Sequence, residues 1–143
     1  PSPAHVMRLT AMDHAARIVR LNAEHRQASA ASWFGDSIGY WEGETLVVET
    51  RHFGEFPPLS GADKNLQVTE HFTRQDDGSM RYRFLVKNPE MWAQPWGGEY
   101  VWASSDGKIY EYACHEGNYA LGNIMRGARE LEKESRAAQA NAG

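Results

Sequence analysis

From Val6 to Cys114 the chain alternates apolar and polar side chains with a period of two, the pattern of strands that bury one face. Eight segments carry it: Val6–Met12, Ala16–Leu21, Ser37–Glu42, Thr45–His52, Leu66–Arg74, Ser79–Lys87, Glu99–Ala103 and Lys108–Cys114. Turn-forming residues separate most of them, at Asp13-His14-Ala15, Gly43-Glu44, Asp76-Asp77-Gly78 and Ser105-Asp106-Gly107. Two longer loops interrupt the series, one around Pro57, Pro58 and Gly61, the other from Asn88 to Gly98. After Gly117 the period changes: Leu121, Ile124, Met125, Ala128 and Leu131 recur at three- and four-residue spacing, which predicts a helix over about 118–138. Asn118 suits its N-cap, while Gly122 and Gly127 weaken it by up to about 1 kcal/mol each relative to Ala.

Successive strands joined by short connections predict a mainly β fold. The expected form is an antiparallel meander of about eight strands, closing into a lipocalin-like barrel, with one C-terminal helix. The length of 143 residues fits one domain, residues 1–143. No Gly-x-Gly-x-x-Gly or Walker-type loop is present, which removes the nucleotide-binding α/β folds. Scattered basic residues and a net charge of -4 argue against a nucleic-acid partner. No apolar run approaches the roughly 20 residues of a membrane-spanning helix, so no membrane partner is expected. Cys114 stands alone, so no disulfide can form within the chain. The five Trp, six Tyr and five Phe do change the picture, because aromatic side chains line ligand cavities as well as cores. A small-molecule ligand is therefore the expected partner, and an edge strand or the helical stripe would serve a homo-oligomer.

Charged residues that share parity with apolar neighbours are the informative exceptions. In LQVTEHFTR, Glu70 falls on the face of Leu66, Val68 and Phe72, and in ARIVRL, Arg17 falls with Val19 and Leu21. A buried carboxylate costs several kcal/mol unless it is paired, so Arg17 is the expected partner of Glu70. Two readings stand side by side: a structural ion pair, or an acid–base group and an anion-binding cation at the bottom of a cavity. Trp92 and Trp96 flank Pro95 in the second loop, either as walls for a flat or sugar ligand or as a cluster that pins the loop.

The segment EYACHEGNY joins the last predicted strand to the helix. Cys114 and His115 are adjacent in an extended stretch and point to opposite faces, so they do not form a dyad. A small buried Cys is the plain reading of Cys114. His115 and Glu116 suit proton transfer, or else tether the helix start, where Glu116 complements the helix dipole. None of the six histidines has metal-ligand spacing, and no cofactor is expected; a metal ion would have to be assembled from separate turns, with His14, His25 and His115 as candidates.

Three stretches, GDSIGYWEGETLVVET from Gly35 to Thr50, DHAARIVRL, and EYACHEGNYALGNIMRGARELE, resemble an uncharacterised family of exported bacterial proteins. Asp36, Trp41, Glu42, Glu70, His14, Arg17, Cys114, His115, Glu116 and Asn118 match positions of that family's pattern. His71 stands where the family usually has Arg and His52 where it has Asn, so neither is expected to serve the whole family. The resemblance implies a periplasmic or secreted location and no particular activity. The chain begins at Pro1 and carries no signal segment, as expected of a processed exported form.

The leading functional expectation is a small enzyme performing acid–base chemistry, an elimination, isomerisation or hydrolysis, on an aromatic or carbohydrate molecule. His115, His14, Glu70 and Glu116 would carry the proton transfers, and Arg17, Trp92, Trp96 and Tyr119 would hold the substrate. A non-catalytic binding protein of lipocalin type is the alternative, and a mononuclear metalloenzyme the second.

Overall fold

The computed structural model describes residues 4–10, 12, 15–108, 110, 112–113, 116–117 and 119–141. The chain divides into two compact units, Pro1–Tyr110 and Glu111–Gly143.

The first unit is one mixed sheet of seven strands, β1 His5–Thr10, β2 Ala15–Leu21, β3 Asp36–Glu42, β4 Thr45–Arg51, β5 Gln67–Arg74, β6 Met80–Lys87 and β7 Trp96–Trp102. The strands lie side by side in chain order, and the sheet curls into a half-barrel. The fold is thus mainly β and barrel-like, as the alternation predicts, with the expected closure stopping at an open half-barrel. Five of the six pairings are antiparallel, but β2 and β3 run parallel, with Val19 opposite Ser37 and Leu21 opposite Gly39. A parallel pair needs a crossover of about a dozen residues or more. The connection from residue 22 to residue 35 supplies it, with a short 3-10 turn at Ala28–Ala30.

Alternation alone does not make a strand, because a strand also needs a neighbour for its backbone. The described residues of the eighth segment, Lys108, Tyr110, Tyr112 and Ala113, are not in a strand, which leaves the sheet open at seven. β7 makes up part of the difference by starting at Trp96, inside the segment whose prolines predict a loop. His52 has φ 56° and ends β4 a residue before the alternation does. Two of the expected hairpins are present: Gly43, at φ 59°, turns β3 into β4, and Gly78, at φ 80°, turns β5 into β6, whereas no strand among the described residues follows Ser105-Asp106-Gly107. The second unit contains the helix α1, Ala120–Asn141. Its apolar residues Leu121, Ile124 and Leu131 are exposed.

Cross-strand registers assign every strand residue to a face. Val48 opposes Glu70, and Glu70 opposes Phe84, so these three share one face; Val19, Arg17 and Arg8 follow on the same face through Ser37 and Thr50. Two apolar clusters occupy that face. Val19, Leu46 and Val48 form one, with Phe72 against it; Phe53, Leu66 and Val86 form the other, with Val68 and Phe84. On β5, Glu70 stands between Val68 of one cluster and Phe72 of the other.

β6 and β7 approach closely at Gly97, where an added Cβ would meet the Phe84 carbonyl oxygen at 2.2 Å. Only a residue without a Cβ fits there without moving the backbone. Gly97→Ala is accordingly expected to lower stability by about 1–3 kcal/mol, the usual cost of overpacking. Urea denaturation measures it, and an unchanged midpoint would contradict this packing of β7 on β6.

Candidate functional site

Glu70 is 2% exposed and holds three hydrogen bonds. Arg8 Nη1 donates to Oε1 at 3.2 Å, the Tyr82 hydroxyl donates to the same oxygen at 2.9 Å, and Arg17 Nη2 donates to Oε2. The Arg17 partner expected from parity is therefore present. Arg8 and Tyr82 are functional neighbours that sequence reading missed. The signal was available, since Arg8 shares parity with Val6 and Tyr82 with Phe84, but both belong to segments whose faces alternation alone does not align with β5.

The cage also measures the curl of the sheet. β1 is four strand spacings from β5, about 19 Å across a flat sheet. No Arg and Glu side chain can span that gap together, yet Arg8 and Glu70 are in contact. The face that carries them must be concave.

Burial, followed by the charge and hydrogen bond of Glu70, pushes the Tyr82 pKa up, so the hydroxyl stays protonated and donates. Tyr82 is also the centre of an aromatic wall on β6 and β7. Its ring stacks on Trp102 with centroids 4.6 Å apart and an interplanar angle of 18°, and Phe84 and Tyr100 lie nearly parallel beyond it.

Beside this wall is an open cleft of about 500 Å³. Val6, Val19, Leu46, Val48, Phe72 and Trp102 form its apolar sides, and Arg8 and Arg17 reach into it. Glu70 does not line it. The ion cage thus places both of its arginines at the cleft and leaves its carboxylate residue out of the lining.

A second charged centre lies on the opposite face. Asp36, 7% exposed, begins β3 and gathers the crossover around itself. It accepts from Arg20 Nη2 at 3.0 and 2.9 Å and from the Arg26 backbone N–H at 2.9 Å, and His25 Nδ1 lies 3.1 Å away. Burial alone would raise its pKa, but the Arg26 amide, His25 and Arg20 outweigh burial and hold it below the ordinary carboxylate value. Sequence reading placed Asp36 only in a motif, because its partners are all non-local in pattern. His25 Nε2 is buried without a hydrogen-bond partner among the described residues, and the His25 ring meets His52 edge-on at 5.8 Å.

The remaining candidates divide. Trp92 packs on the cluster of Phe53, Leu66 and Val86 and meets Trp96 edge-on at 5.6 Å. Trp96 sits on β7 and touches Phe84 edge-on. Glu116 and Tyr119 are exposed residues of the second unit, just before α1. His14, Cys114, His115 and Asn118 lie outside the described residues, so two of the three metal candidates do too. Among the described residues no three His, Cys, Asp or Glu side chains form a metal-binding group. No family model, curated protein or solved structure matches the chain.

Two outcomes test the electrostatics. Glu70→Gln leaves two arginines facing one another without their carboxylate, and the expected loss is about 3 kcal/mol, the lower end for breaking a buried pair because Arg8 is 41% exposed. A circular-dichroism urea titration that finds wild-type stability would refute the cage. Since folding lowers the Asp36 pKa, the unfolded chain takes up that proton first as acid is added. The stability from Asp36 is therefore complete above the ordinary carboxylate value of 3.8 and disappears as pH falls through the lower folded value. Asp36→Asn should be less stable than wild type at pH 7, with the difference shrinking as pH falls below the ordinary carboxylate value of 3.8; a difference constant with pH would contradict this assignment.

Proposed function

We propose that the chain is a small-molecule-binding protein of lipocalin type, which takes the apolar part of its ligand into the concave side of the sheet. The supporting observation is the cleft of about 500 Å³, apolar along its sides and open to solvent, in a sheet that leaves its interior partly unfilled. Ligand sites of about 300–1,000 Å³ with mostly apolar walls and a few placed polar groups are the general rule.

Binding is preferred over acid–base catalysis because of how Glu70 is held. A general base needs a lone pair within reach of the substrate proton. Three hydrogen bonds already occupy most of the acceptor capacity of Glu70, which is 2% exposed and does not line the cleft. The enzyme reading would rest on His115 and His14, with Glu70 as a structural anchor. Membership of the exported family, and with it a periplasmic or secreted location, belongs to the same proposal and is supported by the sequence resemblance. No helix among the described residues is long and apolar enough to cross a membrane.

N-phenyl-1-naphthylamine, a neutral fluorescent probe, should bind with saturable one-to-one stoichiometry. Ala103→Trp, which introduces a large ring at the cleft, should weaken that binding at least tenfold. Absence of saturable enhancement, or an Ala103→Trp variant that binds as wild type does, would overturn the proposal.

A further inference from the structure

We infer that the ligand of this cleft is an amphipathic monoanion, a monocarboxylate with an apolar chain or ring system, whose head group is held by Arg8 and Arg17. The inference rests on the binding function proposed above and specifies its ligand.

Charge provides the first argument. Among the described residues the cage sets two guanidiniums against one carboxylate, a surplus of one positive charge. Arg8 and Arg17 both line the cleft, whereas Glu70 does not. A cation beside apolar walls is poorly solvated, so an anion entering the cleft is stabilised there more than it would be on an open surface. One negative charge neutralises the surplus. A phosphate monoester, which carries about -1.5 to -2 at pH 7, would exceed it.

Hydrogen bonding provides the second. A guanidinium has five N–H donors, and Glu70 takes one from each arginine. Arg17 is 19% exposed, and its Nε is buried without a hydrogen-bond partner among the described residues. Arg8 is 41% exposed and gives Glu70 one of its donors. The Tyr82 hydroxyl is committed to Glu70 and does not compete. Unused donors on planar guanidiniums match a planar carboxylate, which can accept two of them side by side. Glu70 holds each arginine through one nitrogen and leaves the other guanidinium nitrogens for a second carboxylate, which must displace the cover over the buried Arg17 Nε to reach it.

The walls supply the third. Val6, Val19, Leu46, Val48 and Phe72 offer no partner for a polar ligand body, and Trp102 closes the side with an aromatic face. Along these walls a sugar body would lose hydration that an acyl chain or aromatic ring does not need.

Isothermal titration calorimetry of the full chain with decanoate, decan-1-ol and decyltrimethylammonium at pH 7.5 tests this directly. Decanoate should bind at least tenfold more tightly than decan-1-ol, and the ammonium should bind more weakly than either. Arg17→Gln and Arg8→Gln, each checked for native circular dichroism, should reduce decanoate affinity at least tenfold and narrow the preference for decanoate over decan-1-ol. The comparison of head groups on the wild-type protein stands even if a variant fails to fold. Equal affinity for acid and alcohol would overturn the monoanion while the neutral-probe result continued to support a binding cleft. Failure of all three amphiphiles and of the neutral probe would overturn both.

Discussion

One carboxylate sets the shape of this sheet. Glu70 is enclosed between two apolar clusters, where an unpaired charge would be prohibitive, and the cations that satisfy it come from β1 and β2, strands that a flat sheet would keep out of reach. Curling brings them together. The same movement that neutralises Glu70 also makes the face concave, brings Val19 against Leu46 and Val48, and creates the cleft. The ion cage and the binding hollow are therefore two consequences of a single constraint.

The other face is organised by Asp36. Its carboxylate draws in Arg20 from β2, His25 and the Arg26 backbone from the crossover, and fixes how the chain re-enters the sheet. A hairpin would have reversed β3. The crossover instead brings it back in the direction of β2, with Arg20 and Asp36 on one face, close enough to pair. Each face thus has a carboxylate surrounded by cations from more distant chain, but the two differ in what lies beside them: a cleft adjoins the arginines of Glu70, while the partners of Asp36 tie down a connection.

An open sheet gives up some apolar burial in return for access. A closed and solidly packed barrel would bury the rings of Tyr100 and Trp102; here they remain 57% and 42% exposed on the edge strand β7. Their contacts with Tyr82 and Phe84 keep them ordered as a wall. Gly97 and Gly98 let β7 lie tightly on β6 at the other end of the strand, so the edge is anchored although it has no further strand partner among the described residues.

The sequence by itself determined the elements and their faces. Period-two alternation placed seven strands to within a few residues, glycine at the tight turns placed two hairpins, and parity identified Glu70 as a buried charge with Arg17 as its partner. Those features are local, or follow from one strand at a time, and a single chain is enough to display them. What only the tertiary structure decided is the relation between strands: the parallel step from β2 to β3, the absence of a ladder for the eighth segment among the described residues, and the arrival of Arg8 and Tyr82 at Glu70. Each depends on backbone partners and curvature shared by several strands, and side-chain alternation records the face of a residue but not the distance from which its partner must come.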